Sequence, residues 1–404
     1  MIKHLFKLIW NKKKANLLIS IEILLSFLVL FAVVTIGALN IYRYKQPLGF
    51  TYNDVWLVSI DTRLSFDSTY NEVKKTTVRQ LLLAIKQLPE IKELTTWAIP
   101  PYSGYRSTWA DDVNGKRVVI WIHNASEDAK NVLGLHLTEG RWFEENDKSL
   151  NWTPVVINEH LRQEWFGNES PLGKNPYPAG DHASTGRRSK DFRIVGVITD
   201  LRKDGEFSEL ANVCIEYLDI EKTTQAVSSN LLIKVKPGTN AMFKEKLDKA
   251  MASTAKGWSF DIKTLEDMRR DDFKQHITFM ITVGLIAGFL LLMVALGLIG
   301  VLWQNVSRRT NEIGLRRALG SSSKQVYWQI LGELLVLTTF GLLIGTAIII
   351  QFPLLNLIDV IPANIYATGL LISTILMYLL TVMCGLYPSW LAMDIEPAEA
   401  LHYE

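Results

Sequence analysis

Apolar residues are concentrated towards the two ends of the chain, and a more polar region separates them. Four apolar stretches run through residues 17–39, 277–302, 326–352 and 365–393. Each is long enough to cross a hydrocarbon core of roughly 30 Å, which requires about 20 residues in a helix. The second has no charged side chain, and the first and third carry one glutamate each. The pattern therefore predicts four transmembrane helices.

Charged residues next to these stretches predict how the chain is oriented, because cytoplasmic loops are enriched in lysine and arginine. Basic residues precede the first stretch and fill the loop between the second and third, at Lys3, Lys7, Lys12, Lys13, Lys14, Arg308, Arg309, Arg316, Arg317 and Lys324. The loop between the third and fourth stretches contains Asp359 and no lysine or arginine. Both termini are therefore predicted to be cytoplasmic, and the long region after the first stretch to be extracytoplasmic.

The predicted organisation follows from these boundaries. It comprises a cytoplasmic amphipathic N-terminal segment (1–16), TM1 (17–40), an extracytoplasmic domain (41–272) with a distal subdomain (105–228), TM2 (276–303), a cytoplasmic loop (304–325), TM3 (326–352), a short external loop (353–364), TM4 (365–393) and a cytoplasmic tail (394–404). In the N-terminal segment, apolar residues recur at helical spacing and lysines occupy the other face. Two interpretations stay open for it: a helix on the membrane surface, or a basic flank that sets orientation.

The extracytoplasmic region is predicted to fold as a mixed α/β domain. One β-α-β unit is predicted from a strand at 55–61, a helix at 71–88 and a strand at 91–99. A second unit is predicted from strands at 231–236 and 259–264 and from a helix at 241–254. We expect the two units to share one sheet. The stretch between them is richer in turns and short strands, and is predicted to be an inserted β-rich subdomain.

Composition and motifs exclude several classes of function. The formal net charge is +2, and no basic run is interleaved with aromatic residues outside the membrane flanks, so no nucleic-acid partner is expected. The sequence lacks the spaced motifs of zinc sites and serine hydrolases. Residues 167–174 resemble a phosphate-binding loop, but they have one residue too many between the glycines, and Asn175 follows where Ser or Thr is needed. We therefore predict no catalytic residue and no metal site.

The loop between TM2 and TM3 is the most informative part of the sequence. Asn311 can cap a short helix, Glu312 precedes Arg316 at ion-pair spacing, and Gly320 suits a helix end. Three serines follow and can cap the next helix, at Ser321, Ser322 and Ser323. From the residue pattern alone, this segment is either a functional docking helix or a solvated loop that sets orientation.

Here the chain closely resembles the MacB/FtsX family of ABC transporter permeases. Residues 308–320 read RRTNEIGLRRALG, which is similar to the family pattern R-R-x-E-I-G-x-R-[RK]-A-[LI]-G with one extra residue before the glutamate. The end of the chain, with YPSWLA at 387–392 and EPAEAL at 396–401, resembles the family's tail. Three further pieces resemble motifs of its external domain: GRWF at 140–143, FG at 166–167 with PLGK at 171–174, and IVGVI at 194–198.

The resemblance implies a partner and the residues that contact it. In this family, a short cytoplasmic helix docks in a cleft of an ATPase subunit and moves when two ATPases close on ATP. The residues that match this coupling helix are Glu312, Ile313, Gly314, Leu315, Arg316, Arg317, Ala318, Leu319 and Gly320. Pro397, Glu399 and Leu401 in the tail are expected to form a secondary ATPase contact. No cofactor is expected in this chain, because ATP and Mg²⁺ would be bound by the partner ATPase.

Polar and small residues inside the predicted spans raise a question of packing. Exposing the side chain of Glu22 or Glu333 to lipid would cost free energy, so each should face another helix or reach the membrane interface. Glu22 lies near the cytoplasmic end and is expected to snorkel to the interface, whereas Glu333 is expected to hydrogen-bond within a dimer. Gly341 and Gly345 form a G-x-x-x-G pattern. That pattern indicates either close helix packing or a lipid-facing row of small residues.

The resemblance thus implies an α-helical four-span bundle in the bacterial inner membrane, paired with a second copy or a related permease. An ATPase on a separate chain would drive it, a departure from MacB, which carries its own. The implied function is mechanotransmission to the periplasmic domain for MacB-like efflux of peptides, toxins or drugs, in which a periplasmic adaptor and an outer-membrane channel would take part. Two alternatives stay open: a lipoprotein-releasing permease, and an FtsX-like regulator of a cell-wall hydrolase or sensor kinase.

Overall fold

The computed structural model describes residues 13–61, 68–113, 116–177, 192–219, 230–355 and 361–393. The chain divides into two compact units. One comprises Met1–Tyr42 and Ile277–Glu404, and we call it the helical unit. The other, Arg43–His276, is called the α/β domain.

Within the described residues, helices dominate the first unit and strands the second. The α-helices are α1 (Lys13–Tyr44), α2 (Ser68–Lys86), α3 (Ala129–Leu133), α4 (Glu159–Phe166), α5 (Ala241–Thr254), α6 (Leu265–Arg308), α7 (Thr310–Ala318), α8 (Ser323–Leu354) and α9 (Ala363–Met393). The strands are β1 (Val55–Asp61), β2 (Ile91–Thr96), β3 (Thr108–Val113), β4 (Lys116–Ala125), β5 (Leu137–Gly140), β6 (Thr153–Asn158), β7 (Phe192–Ile198), β8 (Asn212–Tyr217), β9 (Asn230–Val235) and β10 (Ser259–Thr264). A 3-10 helix covers Glu145–Ser149.

The helical unit contains four helices that are long and apolar enough to cross a membrane, namely α1, α6, α8 and α9. They pack around a shared apolar core that includes Ile23 and Phe27 of α1, Leu298 of α6, Leu342 of α8 and Met377 of α9. Their outward-facing residues are also largely apolar, as expected where lipid replaces water as the solvent. The predicted four-span bundle is confirmed.

The first sheet of the α/β domain has four antiparallel strands in the order β10-β1-β9-β2. Strand β9 lies between the strands of the first β-α-β unit, and β1 lies between those of the second. The two β-α-β units therefore interlock as in ferredoxin-like folds. Helices α2 and α5 pack on one face through an apolar core that includes Leu81, Ile85, Leu247 and Met251. The expectation that both β-α-β units share one sheet is confirmed.

The second sheet is formed entirely from the chain inserted between β2 and β9, in the order β3-β4-β8-β6-β7-β5. It is mixed, because β4 pairs with β8 and β6 with β7 in parallel, whereas the other pairs are antiparallel. One apolar core is shared by both sheets: it includes Leu57 and Leu232 from the first and Val156, Val213 and Ile215 from the second. The two sheets therefore depend on each other for burial of their apolar faces.

Candidate functional site

The predicted coupling segment folds as the short helix α7, which follows α6 after one non-helical residue, Arg309. The carbonyl of Arg309 accepts a hydrogen bond from the amide of Ile313 at 2.9 Å, and the Thr310 hydroxyl donates to the Ser307 carbonyl at 2.9 Å. The prediction that Asn311 caps this helix is wrong. The helix begins at Thr310, so Asn311 lies inside it and not at the position that precedes it.

The C-terminal end of α7 follows the sequence prediction more closely. Gly320 takes a positive φ of 100°, and the amide of Ser321 donates to the carbonyl of Arg316 at 3.0 Å, so the helix closes and the chain reverses. Ser322 then caps α8 by a capping box. Its hydroxyl accepts from the amide of Gln325 at 3.3 Å, and its own amide donates to the Gln325 side chain at 3.0 Å.

One face of α7 is held by a small apolar cluster. Ile313 is buried against Val306 of α6 and Val326 of α8, and Ile330 of α8 packs against the same group. These contacts remove apolar surface from water and fix α7 to both neighbouring helices. The short helix is therefore a packed part of the bundle, although a single residue connects it to α6.

Polar side chains close a ring around this cluster. Arg309 Nη1 donates to Glu333 Oε2 at 2.8 Å, and Arg309 Nε lies 3.9 Å from Glu312 Oε2. Arg316 Nη2 donates to Glu312 Oε1 at 2.6 Å, and Arg316 Nη1 donates to Gln329 Oε1 at 3.1 Å. Gln329 Nε2 donates to Glu333 Oε1 at 3.2 Å. We call these five residues the junction ring; its longest contact is the one between Arg309 and Glu312.

The junction ring gives Glu333 partners within its own chain, and the expected hydrogen bond within a dimer stays a prediction. Both carboxylate oxygens are engaged, and the side chains of Glu333 and Arg309 are each 17% exposed. Arg309, the non-helical residue between α6 and α7, thus contacts a carboxylate of α8. A paired carboxylate avoids the cost of an isolated charge near an apolar bundle.

The opposite face of α7 is apolar and uncovered in the described structure. Leu315 and Leu319, four residues apart, are 52% and 80% exposed. Ala318 is also exposed, whereas Gly314 is buried. The side chain of Arg317 lies outside the described part of the structure, as do Pro397, Glu399 and Leu401. Of the predicted coupling residues, Glu312 and Arg316 thus belong to the ring, Ile313 to the buried cluster, and Leu315 and Leu319 to this exposed pair.

The glycine pair of α8 lies against α1. A Cβ at Gly341 would lie 2.9 Å from Ile23 Cγ2, and one at Gly345 would lie 2.5 Å from Phe27 Cδ1. Any side chain at these positions would collide, so the two helices approach closely through them. Glu22 does not take the expected snorkelling position. Its carboxylate lies against Gly297 of α6, so closely that a Cβ at Gly297 would overlap Glu22 Oε1.

The three sequence pieces of the α/β domain converge along the β5–β7 edge. Gly140 has a φ of +72°, and a Cβ there would overlap the carbonyl of Val195. The amide of Gly173 donates to the carbonyl of Ile194 at 2.8 Å, and the amide of Ile194 donates to the carbonyl of Lys174 at 2.9 Å. These pieces build turns and strand pairing. Among the described residues, no group of three or more His, Cys, Asp or Glu could hold a metal ion.

Two family models match the chain. The MacB-like periplasmic core domain matches residues 23–250, more than half of the chain, and the FtsX-like permease C-terminal region matches residues 284–397. Together these matches include the whole junction ring and the first sheet's strands β1, β2 and β9.

The relatives include proteins named as ABC transporter permeases and proteins named as ATP-binding/permease proteins. The ABC transporter permease YvrN of Bacillus subtilis is 25% identical over 300 residues, which cover 70% of each chain. The macrolide export ATP-binding/permease protein MacB of Bdellovibrio bacteriovorus is 26% identical over 282 residues, 66% of this chain and 41% of that protein. Among solved structures, the extracellular domain of YknZ aligns at 14% identity with a TM-score of 0.33, covering 51% of this chain and 99% of that domain.

Proposed function

The chain belongs to the family of ABC transporter permeases that combine a MacB-like periplasmic core domain with an FtsX-like permease region, and we propose that it transmits motion from a separate ATPase. In this proposal it sits in the bacterial inner membrane with both termini and α7 in the cytoplasm. ATP and Mg²⁺ are bound by the partner ATPase, and a second copy or a related permease completes the assembly.

The exposed leucine pair, Leu315 on α7 and Leu319 directly after its last residue, carries the proposal. Leu315 and Leu319 form an uncovered apolar strip at the C-terminal end of a helix whose other face is already packed. Apolar side chains that stand on a rigid element and are surrounded by charged residues are typical of the central contacts of protein interfaces. A cleft in the ATPase that buries both leucines would grip the helix without disturbing the junction ring.

The junction ring and the Ile313 cluster supply the route for force. Because α7 contacts both α6 and α8 there, displacement of α7 by a closing ATPase would tilt or shift the helices to which it is fixed. No part of this route requires substrate to pass through the bundle. The proposed output is movement of the α/β domain on the outer side of the membrane.

For the transported class, we propose MacB-like efflux of peptides, toxins or drugs. The support is the match to the MacB-like core domain and to relatives named for macrolide export. The alignment with the Bdellovibrio protein covers 41% of that protein's length. A periplasmic adaptor and an outer-membrane channel are the partners that such a route would need.

Co-purification tests the coupling role. The tagged protein, a Leu315→Asp/Leu319→Asp variant and a Leu83→Asp control would each be isolated from native membranes in mild detergent. Mass spectrometry would then identify the proteins that co-purify with each. Leu83 is a matched control, because it is 59% exposed and lies on α2 of the α/β domain. We expect a P-loop ATPase with the native and control proteins and none with the double variant. If a folded native protein brings no ATPase, the proposed function is wrong.

A further inference from the structure

The connection between β7 and β8 contains three charged side chains that are almost completely buried. Arg202, Lys203 and Glu206 are 4%, 1% and 5% exposed. Buried charges are costly unless each one is paired or hydrogen-bonded, so a connection that keeps three of them needs a structural reason. None of the three belongs to the junction ring. We call residues 202–209 the clasp.

One side of the clasp holds the end of α1. Arg202 Nη1 donates to the carbonyl of Arg43 at 2.6 Å, and Nη2 donates to the carbonyls of Glu206 and Ser208. In return, Arg43 Nη1 donates to the carbonyl of Phe207 at 3.2 Å. The Arg202 guanidinium thus joins the last turn of α1 to the clasp's own backbone.

The other side of the clasp holds the start of α6. Glu206 forms an ion pair with Arg269. Gly205 has a φ of +94°, and a Cβ there would lie 2.8 Å from Asp272 Oδ2. The Phe207 ring lies between the two helix ends: its centroid is 6.0 Å from Tyr44, 5.5 Å from Phe273 and 5.1 Å from His276. A single connection therefore contacts both chain segments that lead into and out of the α/β domain.

We propose that the clasp is the force-transmitting link of the α/β domain, and that Arg202 is its positioning residue. The clasp fixes the ends of α1 and α6 to each other. Strand β7 ends before the clasp and β8 begins after it, so a displacement of the helix ends passes along the chain to both strands. In the six-stranded sheet, β8 and β7 flank β6, so such a displacement reaches the middle of that sheet. The role in transport rests on the proposed function; the link between the helix ends does not.

Hydrogen exchange on the full-length protein in detergent tests the link. In Arg202→Met, we expect the amides of residues 43–48 and 269–276 to exchange about tenfold faster or more, because a charged donor is lost from carbonyls at the centre of the clasp. The Arg202 guanidinium donates to the carbonyl of Arg43 in the first of these segments, so faster exchange in the second is the specific result. Acceleration confined to residues 43–48 would overturn the proposal.

Two further variants keep the test decisive. Arg162→Met is the matched control, because Arg162 also donates to a carbonyl, that of Gly167 at 2.8 Å, but lies on α4. It should leave both segments unchanged. Phe207→Leu preserves an apolar residue and removes the ring between the helix ends, so it should loosen both segments even if Arg202→Met does not fold. Unchanged exchange in a folded Phe207→Leu protein would contradict the link.

A second readout separates the transmission role from the proposed function. With the ATPase bound, ATP should change hydrogen exchange in β7 and β8 of the native protein, and this change should be lost in the clasp variants while the ATPase stays bound. An ATP response that persists in those variants would refute the transmission role. Absence of the ATPase from the native protein would instead refute the proposed function and leave the exchange test of the link intact.

Discussion

The junction ring and the clasp both join helix ends through arginine, but they do so in different ways. In the ring, side chains bond to side chains, exposure is partial, and Arg309 and Glu312 are 3.9 Å apart. In the clasp, the Arg202 guanidinium bonds to backbone carbonyls and is nearly inaccessible to water. The Arg316–Glu312 pair of the ring is 36% and 46% exposed and can exchange partners at low cost, whereas a buried guanidinium leaves its carbonyls only by losing several charge-assisted hydrogen bonds. The comparison indicates an adaptable joint in one unit and a rigid one in the other.

The largest expected effect is that of Arg202→Met on the stability of the α/β domain. Three carbonyls lose a charged donor inside the fold, which should lower the free energy of unfolding by about 3–5 kcal/mol. Pulse proteolysis in urea on the full-length protein measures it. Arg162→Met, with a more exposed side chain, should cost much less. Equal losses in the two variants would remove the contrast between a buried clasp and an ordinary surface arginine.

Acid should weaken the α/β domain through His123, a buried residue on β4 whose ring nitrogens have no hydrogen-bond partner. Burial, with a smaller contribution from Lys203, lowers the pKa of His123 to about 3. The unfolded state therefore binds the proton first, and stability is lost as pH falls below about 6.5. At pH 5 this amounts to about 2 kcal/mol.

A His123→Leu variant isolates that effect. Pulse proteolysis at pH 7 and pH 5 should show that the native protein loses about 2 kcal/mol more than the variant over this interval. Subtracting the variant removes the contribution of the carboxylates, which titrate in both proteins. An identical acid response in the two proteins would mean that His123 is protonated in the folded domain.

A double-mutant cycle on the junction ring should give a smaller value. Arg316→Gln, Glu312→Gln and the combined variant are expected to show a coupling free energy of about 1 kcal/mol, since the two side chains are 36% and 46% exposed to solvent. Thermal unfolding of the detergent-solubilised protein provides the three differences. A coupling as large as the Arg202→Met loss would show that the ring is as rigid as the clasp.

The smallest effect on stability is expected for Leu319→Ser. Its side chain is 80% exposed, so the folded protein should change by under about 0.5 kcal/mol. The same substitution should weaken ATPase binding measurably in a pull-down titration, since the leucine has no other partner in the described structure. A strong loss of thermal stability without the ATPase would show that this face supports the fold.

Local patterns predicted the elements of the first sheet well. The strands at 55–61 and 259–264 and the helix at 241–254 have the bounds that their apolar periodicity indicates. The spacing of Glu312 and Arg316 likewise predicted their ion pair, and the serines after Gly320 predicted the cap at Ser322. In each case the deciding interaction lies within a few residues of the chain, or in a repeat that one element displays by itself.

Contacts between distant residues could not be predicted in this way. The sequence RKDGE at 202–206 has the composition of a surface turn, and only the packed fold shows that three of its charges are buried. Glu333 and Arg309 are 24 residues apart, and no local pattern relates a residue between α6 and α7 to one on α8. The same applies to Glu22, whose neighbour Gly297 comes from another helix.

The apolar core that the two sheets share limits how this domain can be recombined. A chimera that replaced residues 97–229 with the matching stretch of another permease would place foreign side chains against Leu57 and Leu232, which stay with the host. Mismatched volumes there would leave cavities or clashes, each costly in a close-packed interior. New specificity is thus easier to graft by exchanging surface loops than by swapping the whole insertion, in evolution as in the laboratory.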